Sequence, residues 1–426
     1  MFRLIFVILI IAIGAGFALR RPFYGLLFYL WNAYFRPESW VYGGSILALN
    51  LSFFIGLYVV VRTLATFPNP RISTRTVLLW LFLAQACIGA YFSEHRDFSV
   101  MFLRDFSKVM LITYMIILLV NDRKEFRLAL LVIALSLGFE TAKQGWANLV
   151  RAPGAQNNNP IPFLGDNNGV ALGTMMLLPV LGALAQTATS WWQKNVWRFV
   201  AVGVFLRGIS TYSRGGFLGA AALGAVAVLR GERKLRSLAA LVVLALTVWM
   251  LMPPEYFARL DTITVAEGEE REESSAGRLH FWQVAVEMAK AKPFTGVGLA
   301  GFTLAYPDYN TDQRFGGERA AHSVWFAVLA DLGYPGLILL LANLGMACVS
   351  CWRVVVMSRQ HEDMKELRIY ANGLISLFVV YSTCGSFLSH QYSEMAWHFY
   401  GLATALYLIA LKESASRRNA GEALAA

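Results

Sequence analysis

Apolar runs of roughly 15 to 25 residues recur along the whole chain, each long enough to cross a bilayer as a helix rising about 1.5 Å per residue. They fall near residues 3–19, 22–36, 43–64, 76–92, 100–120, 126–148, 169–189, 196–212, 215–230, 236–252, 322–350, 368–388 and 394–411. None shows the in–out alternation of a membrane-barrel strand. The pattern predicts an all-α integral membrane protein with 12 or 13 transmembrane helices. The second run, PFYGLLFYLWNAYF, is short and aromatic, so either it or its neighbour lies in the interface or the two form a tight re-entrant pair. The first run is followed by Arg20-Arg21 rather than by small residues suited to cleavage, which predicts a retained helix and not a signal peptide.

Polar segments divide the chain. Residues 1–252 read as an N-terminal transmembrane bundle, 253–321 as a long loop, 322–412 as C-terminal transmembrane helices and 413–426 as a tail. Within the loop, EGEEREESS (Glu267 to Ser275) is an acidic, solvated run. Ser274 or Ser275 is placed to cap an amphipathic helix whose apolar stripe is Leu279, Trp282, Val286 and Met288-Ala289, with Pro293 ending it. Gly296, Gly298 and Gly301 then suggest a flexible return to the membrane. A second polar loop, RAPGAQNNNPIPFLGDNNG, is rich in Asn, Pro and Gly, which favour turns and offer the neutral hydrogen bonding that sugars accept. No internal repeat is apparent.

Composition agrees: the 426 residues are 57% hydrophobic and only 15% charged, and the mean hydropathy is +0.51. The net charge of +10 conceals an asymmetry, because residues 253–320 hold eleven acidic and seven basic residues while the rest is strongly basic. Basic clusters occupy short loops: Arg20-Arg21, Arg71 with Arg75, Arg123-Lys124 with Arg127, Lys194 with Arg198, Arg230 to Arg236, Arg353 to Arg368, and Arg417-Arg418. The positive-inside rule makes those loops and the C-terminal tail cytoplasmic, so that 151–168 and 253–320 face the other side. The basic balance therefore reports topology and gives no reason for a nucleic-acid partner. The four cysteines (Cys87, Cys348, Cys351 and Cys384) lie in apolar runs without paired metal spacing and read as small core hydrophobes.

Three positions on the outward side carry candidate chemistry. Arg214, in STYSRGGFLG, lies between two spans. It either snorkels to the interface or faces a water-filled cavity, and Gly215-Gly216, which remove side chains beside it, favour the cavity. Arg278 opens the loop helix and is equally open to a salt bridge with Glu272 or Glu273. His322 begins a long helix, whose partial positive charge disfavours imidazolium and leaves a neutral base near pH 7. The plainer alternative is an interfacial or capping histidine. Arg104 and Lys108 share a helix face and either extend the cationic cavity or are neutralised by Asp105 and Asp97. None of the other histidines has metal-ligand spacing, so no metal site is expected.

The order DNNGVALGTMMLLP, STYSRGGFLGA, MPPEYFARLDTI…SSAGRLHFWQVAVEMAKAKPFTGVGLAGF and AHSVWFAVLADLGYPGL resembles the O-antigen ligase and Wzy-type polymerase superfamily over residues 20 to 411. It is most similar to the branch of O-glycosylation ligases associated with exosortase. The resemblance implies a GT-C-type glycosyltransferase of the bacterial inner membrane, multi-pass, with its active site on the periplasmic side. Such enzymes move a glycan from undecaprenyl diphosphate to a hydroxyl of lipid A core oligosaccharide, with no cofactor. The family's arginines correspond to Arg214 and Arg278 and its histidine to His322, while Asp166, Asn167, Asn168 and Tyr334 fall in similar segments and imply substrate binding. One departure is Gln391 to Trp397, more polar than the family's final helix leads one to expect. No Asp-x-Asp pair is present to seat a divalent metal. Two other enzyme readings stand beside the ligase, a polymerase and a protein O-glycosylation ligase using the same donor, as does a polysaccharide transporter or flippase.

Overall fold

The structure is a computed structural model that describes residues 2–40, 50–66, 71–231 and 269–425, with isolated positions between 234 and 250. Its helices are α1 (Phe2–Arg20), α2 (Pro22–Phe35), α3 (Leu51–Thr66), α4 (Thr74–Tyr91), α5 (Arg96–Leu119), α6 (Arg123–Arg151) and α7 (Asn167–Gln186). They continue as α8 (Trp191–Ile209), α9 (Arg214–Arg230), α10 (Glu269–Ala291), α11 (Phe302–Tyr309), α12 (Val324–Ser358), α13 (Lys365–Gly385) and α14 (Glu394–Ala425). Among the described residues β-pairing is limited to one bridge between Ile161 and Gly165. Every segment expected to span falls on one of these helices except 236–252, which lies largely outside the described residues, as do residues 43–49 of the third. By length and apolarity Thr74–Tyr91, Asn167–Gln186, Val324–Ser358 and Glu362–Gly385 suffice to cross a bilayer, and Leu4–Arg20 and Leu51–Thr66 are shorter apolar helices. The chain is an all-α integral membrane protein.

Small residues set the packing. In α1 and α2, Gly14 lies against the Phe28 ring and Gly25 against Ala18, an antiparallel hairpin turned at Arg21. At 14 residues α2 is about 21 Å long, short of a hydrocarbon core of about 30 Å, yet its Phe23, Leu26 and Leu30 are buried. It is the inner arm of a tight pair, with α1 outside it. Helix α7 is the buried centre, packed on α6, α8, α9 and α13. Helices α6 and α8 meet backbone to backbone where Gly145 faces the Gly203 carbonyl, and beside them Trp146 stacks on Phe199 at 4.6 Å.

Contacts among the basic loops gather them at one end of the bundle. Arg21 pairs with Glu125 at 2.8 Å, Arg71 donates to the Ile117 carbonyl, and Arg123 binds Glu413 and the Asp363 carbonyl. Arg127 donates to the Thr187 carbonyl, Arg230 to Asn372, and Arg417 meets Asp363. The turn between α8 and α9, the 151–168 loop and the 292–323 loop lie at the other end.

Several local expectations are corrected. Helix α10 begins at Glu269, ahead of Ser274 and Ser275, so neither starts it. Its buried face is Phe281, Val284, Ala285, Met288 and Ala289, a regular i, i+3, i+4, i+7, i+8 set, whereas Leu279 is exposed. The glycine-rich return is pinned: Val297 N–H donates to the Ala330 carbonyl at 2.9 Å and Gly298 N–H to that of Asp331 at 3.1 Å, with Gly296 and Gly298 at φ of 66° and 126°. The expected span 322–350 is broken at Gly333 (φ 66°, ψ −169°), two residues ahead of Pro335. Gln85 of α4 donates to the Leu332 carbonyl freed there and to the Phe294 carbonyl of the adjoining loop, so Val324–Leu332 is an entry segment and the long crossing begins after it. Cys351 and Cys384 are buried, but Cys87 is exposed on α4. Helix α14 continues through the expected tail to Ala425.

The α6–α8 crossing yields a stability test. Gly145→Leu should drive α6 off α8 and destabilise the fold by about 1–3 kcal/mol. Gly16→Leu, where a side chain would meet nothing within 4 Å, should leave the melting temperature in detergent unchanged. Equal melting temperatures for the two variants would contradict this close approach.

Candidate functional site

The site is built on a stitched pair of loops. Asn157 N–H donates to the Ser210 carbonyl at 2.8 Å, Tyr212 Oη to the Gly154 carbonyl, and Arg207, fully buried in α8, reaches the Asn159 carbonyl at 2.7 Å and Gln144 Oε1 at 2.9 Å. Ser213 Oγ donates to Asn168 Oδ1 at 2.9 Å, tying the start of α9 to that of α7. Both helix starts are capped, α7 by Asp166 on Gly169 N–H at 2.7 Å and α9 by Ser213 on Gly216 N–H at 3.4 Å. The N-terminal ends of α7 and α9, where unpaired N–H groups and the helix dipole favour an anion, are thereby fixed side by side.

Arg214 is the first residue of α9, and it lies near enough to Arg278 of α10 for its charge to act there. Burial first, and then Arg214, lower the pKa of Arg278, whose guanidinium lies 6.0 Å from the Phe387 ring. His322 stands just before α12 in left-handed backbone, φ 48°, a conformation uncommon for residues other than glycine and one that histidine tolerates better than most. Trp282 Nε1 donates to the Ala321 carbonyl at 3.0 Å, Phe281 lies 6.3 Å from the imidazole, and Trp325 Nε1 donates to Ser386 Oγ at 2.9 Å. Burial and then Arg278 lower the pKa of His322, while Asp166 opposes them. Burial and Arg278 thus favour the neutral imidazole. Arg214, Arg278, His322 and Asp166 form one electrostatic group at one end of the bundle.

Residues 199–341 match the O-antigen ligase family, and residues 1–195 match a family of unknown function, DUF5935. The first match contains Arg214, Arg278 and His322. The match supports membership of the O-antigen ligase superfamily. No curated protein matches it.

In this O-antigen ligase-type protein the remaining expected site residues are differently placed. Asp166 is exposed, with Asn167 and Asn168 half-buried; Asn167 donates to Asn158 and Asn168 accepts from Ser213, so both build the loop. Lys108 pairs with Asp105 at 2.6 Å, the local neutralisation weighed for it, and Arg104 is exposed on the same helix. Tyr334 lies beyond the Gly333 break, its N–H on the Pro293 carbonyl, and the helical segment Val324–Leu332 separates it from His322. Gly215 and Gly216 turn out to serve packing: a side chain on Gly216 would strike Ala171 of α7, and Cys384 Sγ lies 3.2 Å from the Gly215 carbonyl. The side chains of Glu272 and Glu273, weighed as partners of Arg278, lie outside the described residues. Among the described residues no three His, Cys, Asp or Glu side chains are grouped to hold a metal ion.

The sequence reading missed His390. This half-buried imidazole packs against Gly169 at the start of α7, where a Cβ would come within 3.1 Å of its ring. It senses the Asp166 charge, so the carboxylate stands in reach of two histidines, and burial lowers its pKa. His390 and Ser393 also line two cavities, one of about 350 Å³ with Asp331, Gln391 and Tyr392, the other of about 200 Å³ with Arg36, Leu172 and Glu394. The polar stretch from Gln391, out of keeping with a final transmembrane helix, is the wall between them.

A titration tests this electrostatic group. Arg278→Gln removes a charge that lowers the His322 pKa and should shift its protonation to higher pH; Asp166→Asn, which keeps a capping side chain, should shift it to lower pH. The pH dependence of His322 modification by diethyl pyrocarbonate, mapped by peptide mass spectrometry, reads both, and shifts in the opposite order would refute the arrangement.

Proposed function

We propose that the protein is a metal-independent inverting glycosyltransferase that transfers O-antigen glycan from undecaprenyl diphosphate to a hydroxyl of lipid A core oligosaccharide at the periplasmic face of the inner membrane. The observation that carries the reading is the meeting of Arg214, Arg278 and a desolvated His322 at the end of the bundle opposite the basic loops. The positive-inside rule assigns those loops to the cytoplasm and the site to the periplasm.

The chemistry follows from the charges. As the anomeric C–O bond breaks, its electron pair passes to the diphosphate, whose growing negative charge two forked guanidinium groups and two helix N-termini are suited to hold. The acceptor hydroxyl attacks C1 from the opposite face and gives its proton to the neutral imidazole of His322. Asp166, which favours the protonated form of His322, stabilises the imidazolium that results. His390 acts as a positioning residue through Asp166.

The test is a transfer assay with purified protein, lipid-linked glycan and chelator, read by mass spectrometry of the acceptor. Arg214→Ala, Arg278→Ala and His322→Ala should each lower the rate by at least about 100-fold without loss of folded protein. Arg214→Lys should also fail, because a point charge does not reproduce a bidentate contact. Product on another lipid-linked glycan or on protein, in place of the core oligosaccharide, would overturn the acceptor assignment, and full activity of His322→Ala would overturn the mechanism.

A further inference from the structure

At the opposite end of the bundle, α7, α9 and α13 enclose a wedge. Near the site the three are in tight contact, with Gly216 on Ala171 and Gly219 on Cys384 and Met175. Toward the basic loops they splay, past Pro179 inside α7, and leave a cavity of about 610 Å³. Its walls mix apolar side chains, Leu178, Leu223 and Ile369 among them, with the polar Gln186, Asn372 and Ser376, and a side chain built on Gly182 would meet nothing within 4 Å. Its rim carries Arg230, Lys365 and Arg368, and among the described residues no acidic side chain lines it. The rim cations differ in engagement, and Arg368 is held most, donating also to the Ser358 and Arg359 carbonyls at 3.0 and 3.3 Å. Arg230 donates to the neutral Asn372 at 2.8 Å, and Lys365 and Arg368 share Glu362, whose side chain is 77% exposed, at 3.3 and 3.4 Å.

We propose that this wedge is a binding site for an anionic glycerophospholipid, with the phosphate held by Arg230, Lys365 and Arg368 and an acyl chain lying against α7 and α9. Charge complementarity selects the ligand. Three cations at the membrane boundary attract an anionic headgroup, and the carboxylate beside them, Glu362, is already shared by Lys365 and Arg368 rather than left to receive the ammonium of a zwitterionic one. The apolar part of the wedge, with Leu178, Leu223 and Ile369, selects a lipid over a free phosphate, because an acyl chain covers it. Bound there, the lipid fills the gap between three helices whose other ends carry the site. The proposal stands independently of the transferase reading.

The test is native mass spectrometry of delipidated protein titrated separately with phosphatidylglycerol, phosphatidylcholine, a polyprenyl phosphate and inorganic phosphate. Phosphatidylglycerol should be retained preferentially, and each of Arg230→Gln and Lys365→Gln should weaken it about fivefold, the effect of removing one basic residue from a membrane surface site. Gly182→Leu, which fills the wedge and leaves the rim intact, should abolish preferential retention while the protein still melts cooperatively. Equal retention of phosphatidylcholine, retention of polyprenyl phosphate or inorganic phosphate in place of phosphatidylglycerol, or unchanged binding by Gly182→Leu would each overturn the proposal.

Discussion

A charge at the edge of a bilayer persists only where something offsets its desolvation, and the two ends of this bundle do so differently. At the basic end, guanidinium groups are answered by carboxylates and carbonyls of neighbouring loops, as in Arg21–Glu125 and Arg127–Thr187, and the result is structural. At the other end Arg214 and Arg278 act on one another as like charges, one of them partly desolvated. Burying like charges side by side is unfavourable in the free protein and becomes favourable when a multivalent anion sits between them. A diphosphate meets that requirement in charge and in its capacity for forked hydrogen bonds.

The packing of glycines places those charges. Gly216 and Gly219 let α9 close on α7 and α13, and Gly145 and Gly203 do the same for α6 and α8. Without side chains at these contacts the helix starts approach one another, so that the caps at Asp166 and Ser213 and the loop bonds between them form one rigid rim. Arg207 reinforces that rim from below. It is a fully buried cation at the C-terminal end of α8, where the dipole favours it, and its hydrogen bonds hold the asparagine loop down.

Much of this was legible in the sequence because a lone charge in an apolar run is conspicuous. Arg214 and His322 stood out for that reason, and the all-α membrane class followed from run length. The Gly-Tyr-Pro at 333–335 was a visible helix breaker read through as one span, because apolarity continues on both sides of it. The register of α10 was misjudged because Leu279, Trp282 and Val286 form a plausible stripe too, and only contact with Tyr306 and Phe315 selects the face of Phe281. His390 could not be singled out, since a histidine in a short loop between apolar runs looks the same wherever the loop lands. Its meaning comes from Gly169, more than two hundred residues earlier in the chain.

Within the proposed mechanism these electrostatics impose an order of events. In the free protein Arg278 and burial both hold the His322 pKa down, so the imidazole is neutral but weakly basic. A diphosphate bound between Arg214 and Arg278 offsets the charge of Arg278, and the same sign argument then raises the affinity of His322 for a proton. The base is therefore strengthened by the arrival of the donor, before it accepts the proton of an attacking hydroxyl. When the diphosphate group leaves with its lipid, Arg278 again opposes the imidazolium and favours release of the proton. Arg278 would thus serve twice, by holding the leaving group and by making the strength of the base depend on whether that group is present.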